Sequence, residues 1–166
     1  RRVTGKFFGE LKLAKGLKFN SDVLYDLYSQ TQDNWYGANY PFIATDGEVF
    51  AAAVNNESHT LSNYFTYDKT FGEAHNLNVV AGHEFTSFSS RYQDVTSIYF
   101  PSDNFQTIDG GAEIINGSGS ETDYAFDSFF ARASYSYNNK YLFKASIRRD
   151  GSSRFGENKR YGIFPA

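Results

Sequence analysis

Residues 141–156, YLFKASIRRDGSSRFG, carry the pattern that decides the fold. The first half of this stretch alternates between apolar and polar side chains, and its apolar members are Tyr141, Phe143, Ala145 and Ile147. Such period-2 alternation is typical of a β-strand with one apolar and one polar face. The Asp150–Gly151 pair predicts a turn after this strand. Residues 160–165 then predict the start of another strand.

The same alternation recurs along the rest of the chain, in segments of roughly ten residues. Short turns such as Lys15–Gly16 and Asn138–Asn139 join these segments in pairs. We therefore predict three hairpins, formed by residues 3–13 with 17–28, 61–67 with 77–85, and 129–136 with 141–148. Residues 31–58 and 87–123 lose the alternation and are rich in Gly, Asn, Asp and Ser, which predicts two long loops.

Short turns at one end and long loops at the other are typical of outer-membrane β-barrels. Several aromatic residues near the short turns fit the girdle that such barrels place at the membrane interface: Tyr67, Phe71, Tyr135, Tyr137 and Tyr141. A soluble β-sandwich also has alternating strands, so alternation alone does not distinguish lipid from a protein core. Structureless loops beyond about 12–15 residues are uncommon in compact domains, which favours the barrel.

The composition argues against several classes of protein. The chain has 17 Phe, 13 Tyr and 14 Gly but no Cys and no Met, a mixture that favours β-structure. A net charge of −3 argues against nucleic acid as a partner. The absence of Cys excludes disulfides and thiolate metal sites within this span. The start at Arg1 without Met and the end at Ala166, just inside a strand, predict a segment of a longer polypeptide.

The sequence offers no constellation for catalysis. His59, His75 and His83 lack the spacing of a metal site. The Asp103 to Gly110 stretch resembles a calcium loop only in part, because it lacks the run of ligands and the closing Glu. There is no Gly-rich phosphate loop and no nucleophile elbow. We therefore expect no enzyme activity and no cofactor.

Several phrases of the sequence match one family pattern in order and spacing. They are YDKTFG at 67–72, HNLN at 75–78, AGHE at 81–84, FFARASYSYNNKYL at 129–142 and RDGSSRFG at 149–156. Together they resemble the SusC/RagA family, the TonB-dependent outer-membrane transporters of Bacteroidetes. The resemblance covers residues 60–86 and 124–166, whereas the predicted long loops match no known phrase.

The resemblance implies an all-β fold, in which residues 1–166 form an antiparallel transmembrane β-barrel segment of about six strands, with three hairpins and long extracellular loops. The complete barrel would have 22 strands and enclose a plug; neither the plug nor the TonB box lies in this span. The resemblance further implies a multi-pass protein of the cell outer membrane. Its partners would be a SusD-like surface lipoprotein as lid and the TonB–ExbB–ExbD machinery, and its substrates oligosaccharides or peptides.

A row of polar residues is expected to face the plug or the wet lumen of such a barrel, because hydrocarbon cannot satisfy charged groups. This row comprises Lys6, Glu10, Lys12, Lys18, Asp22, Asp26, Glu84, Arg132, Lys144 and Arg148.

Two groups of residues are candidates for contact with ligand or lid. The loop aromatics are Trp35, Tyr36, Tyr40, Phe42, Tyr99 and Phe100, since aromatic rings stack on sugars and anchor interfaces. The rim group is Arg148, Arg149, Asp150 and Arg154. Each has a structural alternative: the aromatics pack the loops together, and the charges pair with neighbouring strands. Two rival functions also stay open: a soluble β-sandwich carbohydrate-binding module and a barrel enzyme of the outer membrane.

Overall fold

Seven strands form a single sheet in a computed structural model of the chain, which describes residues 1–41, 45–156 and 159–166. The strands are β1 (Arg2–Ala14), β2 (Leu17–Tyr36), β3 (Glu48–Phe71), β4 (His75–Ile98), β5 (Glu113–Tyr137), β6 (Tyr141–Ser152) and β7 (Tyr161–Pro165). They are antiparallel and lie in the sheet in chain order. A 3-10 turn at Ile108–Gly110 lies between β4 and β5. Among the described residues, no helix is long and apolar enough to cross a membrane.

The odd-numbered residues of the strands lie on one face of the sheet and the even-numbered residues on the other. Side chains alternate between the two faces along a strand, and the register pairs odd-numbered residues with odd-numbered ones. Phe129 pairs with Arg149 and Ala131 with Ile147, whereas Phe130 pairs with Arg148. The odd-numbered residues form the odd face, which carries the apolar rows predicted from the sequence. The even-numbered residues form the even face, which carries the predicted polar row. The predicted assignment of residues to the two faces is therefore confirmed.

The chain divides into two compact units. The first comprises Arg1–Val3, Leu27–Glu57 and Ser89–Asp123, and the second comprises Thr4–Asp26, Ser58–Phe88 and Tyr124–Ala166. The first unit contains the buried hydrophobic side chains Val49, Ile98 and Phe100. The second unit contains the three short turns, at which Gly16, Gly72, Asn138 and Asn139 take positive φ angles. The three predicted hairpins are thus confirmed.

The apolar side chains of the odd face are largely uncovered. Phe129, Phe143 and Ile163 expose 47%, 67% and 63% of their surface. A β-sandwich would cover these side chains with a second sheet, but the described residues form one sheet only. The soluble β-sandwich alternative is therefore wrong.

The two predicted long loops are wrong in extent. β2 runs to Tyr36 and β3 begins at Glu48, so the connection between them covers residues 37–47 rather than 31–58. Likewise, residues 99–112 connect β4 to β5, rather than 87–123. The added strand residues are polar on both faces, as the contacts Arg91–Glu121 and Ser90–Asn56 show. The alternation of apolar and polar residues disappears where neither face of the strand is apolar, although the hydrogen-bonded pairing of the strands continues.

The predicted turn at Asp150–Gly151 is also wrong, because both residues lie within β6. Gly151 pairs with Asp127 on one side and Tyr161 on the other. A Cβ atom at Gly151 would lie 2.5 Å from a ring carbon of Tyr161. Glycine is therefore needed here for close approach of an aromatic ring, as occurs in strand interiors, and the chain turns only after Ser152.

Candidate functional site

Ion pairs on the even face join members of the predicted polar row across neighbouring strands. Lys6 lies 3.1 Å from Asp22, and Lys18 lies 3.0 Å from Glu10. These pairs link β1 to β2 and are partly exposed. Pairs of this kind contribute little to stability, but they make this part of the even face a charged surface.

The guanidinium of Arg148 contacts three side chains of the even face. Its guanidinium donates to Glu84 at 3.0 Å and to Asp150 at 2.6 Å, and it lies 5.9 Å from the ring centre of Phe130. Glu84 also accepts a hydrogen bond from Ser62 at 3.1 Å. The charges are thus matched between strands, as the structural alternative expected, and contact of Arg148 or Asp150 with a ligand stays a prediction.

A row of aromatic rings, which the sequence reasoning missed, lies beside Arg154 on the even face. Phe88 stacks on Tyr124 with ring centres 4.8 Å apart, and Tyr124 meets Phe126 edge-on at 5.6 Å. The Arg154 guanidinium lies 4.0 Å from the centre of the Tyr124 ring. Planar rings with an adjacent cation suit stacking against sugar or peptide groups. These aromatic residues have even residue numbers, so they lie on the strand face that is otherwise polar. That position could have identified them in the sequence, because an aromatic residue on the polar face does not face lipid.

The loop aromatics of the first unit divide into packed and exposed residues. Phe100 is buried and meets Trp35 edge-on at 4.9 Å, while its backbone N–H donates to the carbonyl of Asp46 at 2.7 Å. Gly47 has a φ of 91° that favours glycine, and a Cβ there would lie 2.7 Å from the Trp35 ring. Trp35 and Phe100 thus pack the two loops together.

The other loop aromatics are more accessible. Tyr36 lies 5.1 Å from Tyr40, measured between ring centres, and Tyr40 is half exposed. Tyr99 is also exposed, at a backbone φ of 61°. Phe42 lies outside the described residues. Tyr40 and Tyr99 are thus exposed, and their contact with a ligand or lid stays a prediction.

The four rim residues do not form one surface. Arg148 and Asp150 lie on the even face, whereas Arg149 lies on the odd face, with its guanidinium 4.0 Å from the ring centre of Tyr161. Arg154 follows β6 in the connection to β7. Adjacent residues of a strand point to opposite faces. Arg148 and Arg149 are therefore neighbours in the sequence, but their side chains lie on opposite faces of the sheet.

A polar network in the first unit, also missed, centres on Asp94 of the even face. Asn116 donates to its Oδ1 at 2.8 Å, and the Ser118 hydroxyl donates to its Oδ2. Partial desolvation, together with the charge of Asp94 and a hydrogen bond to it, raises the pKa of Tyr92. Carboxylate, amide and hydroxyl groups together can exchange hydrogen bonds with a polar ligand.

The described residues contain no group of three or more His, Cys, Asp or Glu that could hold a metal ion. Asp109, one end of the partial calcium-loop pattern, accepts a hydrogen bond from Thr107 at 2.6 Å.

Comparison with known proteins finds TonB-dependent receptors. The chain is 36% identical over 160 residues to TonB-dependent receptor P39 of Formosa agariphila. This match covers 94% of the chain and 15% of that receptor. The chain is also 51% identical over 39 residues to TonB-dependent receptor SusC of Bacteroides thetaiotaomicron. That match covers 24% of the chain and 4% of that receptor. No protein-family model matches the chain.

A solved structure extends the likeness to the fold. The structure of the RagAB peptide transporter superimposes with a TM-score of 0.91 and 26% sequence identity, covering 99% of this chain and 19% of that one. The chain therefore spans less than one fifth of the length of these proteins. The likeness in sequence and in fold shows that this chain belongs to the SusC/RagA family of TonB-dependent transporters and corresponds to a stretch of their β-barrel wall.

Proposed function

We propose that this chain forms part of the barrel of an outer-membrane importer that takes up oligosaccharides or peptides without chemical conversion. In this proposal a SusD-like lipoprotein covers the external side and TonB supplies force through a plug. The observation that carries the proposal is the two-faced sheet. Its odd face is apolar and uncovered, as lipid contact requires, and its even face is charged and hydrogen-bonded, as a wet lumen requires.

The names of the relatives support a role in transport. The RagAB structure is that of a peptide transporter, and the curated relatives are TonB-dependent receptors. In this proposal, transport depends on capture by the loops and the lid, followed by passage along the even face.

Ligand contacts are proposed for the accessible groups of the two units. In the first unit these are Tyr40 and Tyr99, with Tyr36 behind Tyr40. In the second unit the proposed contacts are the stacked pair Arg154 and Tyr124, and also the charged residues Arg148 and Asp150 on the even face. Trp35 and Phe100 act indirectly, because they hold the loops in place. Aromatic rings in a row offer apolar faces and edges on which sugars and peptide side chains can pack.

The test is uptake by cells that carry the full receptor. A deletion strain is complemented with the wild-type gene, with Tyr124→Ala or with Tyr137→Ala, and uptake of labelled oligosaccharides and labelled peptides is measured with and without an uncoupler. We expect uncoupler-sensitive uptake of one of the two classes. Tyr124→Ala should reduce uptake, whereas Tyr137→Ala, on the odd face, should preserve it. Unchanged uptake of both classes in the deletion strain would exclude the proposed importer.

A further inference from the structure

The odd face of the second unit changes from apolar to polar at a defined height. In β5 it is apolar from Tyr137 to Phe129 and becomes acidic at Asp127. Eight residue steps separate Tyr137 from Phe129, about 27 Å along a strand and about 21 Å along the axis of a barrel whose strands tilt by about 40°. Two further steps place Asp127 at about 26 Å. Because the apolar band of such barrels is about 25 Å tall, Asp127 lies at the external edge of the hydrocarbon.

Three polar side chains meet at this height on the lipid side of the sheet. The Tyr161 hydroxyl donates to Asp127 Oδ2 at 3.1 Å, and His83 Nε2 contacts Asp127 Oδ1. Both carboxylate oxygens are therefore occupied. Gly151 lies between Asp127 and Tyr161 in the sheet, and its missing side chain leaves room for the tyrosine ring. Tyr161 is thus fixed at the edge of the apolar band.

Arg149 reaches this edge from within the band. It pairs with Phe129 on one side and Ile163 on the other, and both are exposed apolar residues. Its guanidinium nevertheless lies 4.0 Å from the ring centre of Tyr161, which is two residue pairs nearer the external side. A long cationic side chain that extends from an apolar surface toward water is said to snorkel. Tyr161 therefore supports the flat face of the guanidinium at the level of lipid headgroups.

The guanidinium of Arg149 interacts electrostatically with Asp127 but forms no direct ion pair within the ranges 1–41, 45–156 and 159–166. Both oxygens of Asp127 are occupied by His83 and Tyr161, so the N–H groups of Arg149 are not used by this carboxylate. A guanidinium stacked on a ring keeps its N–H donors available at its edge, and their fork geometry matches phosphate oxygens. A shallow depression beside the cluster is also lined by Ser153 and Arg160, which add a hydroxyl and a second cation.

We propose that Arg149, stacked on Tyr161, binds the phosphate of an anionic membrane lipid, with the His83–Asp127 pair holding Tyr161 in position. A lipid is favoured over a protein partner because apolar side chains flank the cation on both sides at the height of the acyl-chain boundary. The proposal depends on the lipid-facing orientation of the odd face and not on the imported substrate. Its failure would therefore leave the proposed transport function untouched.

Native mass spectrometry of the full receptor, purified in detergent and titrated with phosphatidic acid or phosphatidylcholine, tests this proposal. We expect tighter retention of phosphatidic acid by the wild type. Arg149→Gln should weaken that retention about tenfold, since it removes a charge-assisted hydrogen-bonding partner. Arg149→Lys should fall between the two, because it keeps the charge without the fork. Arg132→Gln, on the even face of β5, is the matched control and should bind as the wild type does.

Four results would overturn the proposal. They are equal retention of the two lipids by the wild type, equal losses in Arg149→Gln and Arg132→Gln, displacement of the lipid by millimolar inorganic phosphate, and a changed subunit stoichiometry in Arg149→Gln with unchanged lipid retention. The third would indicate a site for free phosphate, and the fourth a protein contact. If Arg149→Gln fails to assemble, the lipid preference of the wild type and the intermediate affinity of Arg149→Lys decide the matter.

Discussion

At the scale of single residues, glycine in a strand here marks close approach rather than a turn. A Cβ atom at Gly82 would lie 2.4 Å from the Cβ of Tyr64 and 2.6 Å from the carbonyl oxygen of Asn63, which is backbone and cannot move aside. We expect Gly82→Ala to destabilise the receptor by about 1–3 kcal/mol, the usual cost of overpacking. Urea unfolding in detergent measures this. Gly9→Ala is the control, because no atom lies within 4 Å of its added Cβ; equal losses would contradict the explanation.

The parity rule is tested by two neighbouring valines. Val79 lies on the odd face, four steps after the start of β4 at His75, or about 10 Å into the apolar band. Val80 lies on the even face. Arg at Val79 should cost about 2–4 kcal/mol, because its charge would meet hydrocarbon near the midplane. Arg at Val80 should cost much less. Folding titrations into lipid vesicles compare the two, and equal costs would argue against a lipid-facing odd face.

At the scale of elements, the connection 99–112 depends on one buried aromatic residue. Phe100 is 6% exposed and lies between Trp35 and the backbone of Gly110 and Gly111. Truncating a buried Phe costs about 3–5 kcal/mol in a packed core. We therefore expect Phe100→Ala to accelerate hydrogen–deuterium exchange in peptides from residues 99–112 by more than about tenfold. Phe105→Ala, at a side chain that is 55% exposed, should leave the exchange unchanged. Equal effects would show that Phe100 does not hold the loop.

Strands could be predicted from the sequence wherever one face is apolar. The hairpin 129–136 with 141–148 is such a case, and its turn at Asn138–Asn139 needs the positive φ that Asn tolerates. The polar continuation of β5 through residues 116–120 could not be predicted, because Gly and Ser alternate there with no apolar partner. Its pairing depends on side chains of β4 such as Asp94, which sequence patterns do not identify.

The same limit applies to the candidate site. The rim residues were recognisable as charges, but opposite faces separate Arg148 from Arg149, and only the register shows which strand each meets. The stack of Phe88 on Tyr124 joins residues far apart in the chain. Nothing local in the sequence marks such a pair, apart from aromatic residues at even positions.

At the scale of the whole molecule, the balance between buried and exposed apolar surface determines whether residues 1–166 can fold as an isolated monomer. Its buried hydrophobic side chains are Val49, Ile98 and Phe100, within the residues that the structure describes. β1 and β7 each have one neighbour in the sheet, so each leaves an edge of unpaired backbone groups. Uncovered apolar faces and open edges both promote association between chains.

We therefore expect residues 1–166, expressed alone in water, to aggregate instead of forming a monomer with a cooperative unfolding transition. The reason is that burial of so few side chains cannot offset the conformational entropy of ordering the chain. Light scattering and size-exclusion chromatography measure this. The full receptor refolded into vesicles serves as the control and should give discrete particles, because its strands close on one another and lipid covers the odd face. A soluble, monodisperse 18.8 kDa species would mean that the apolar face finds cover within this chain, and would count against its place in a barrel wall.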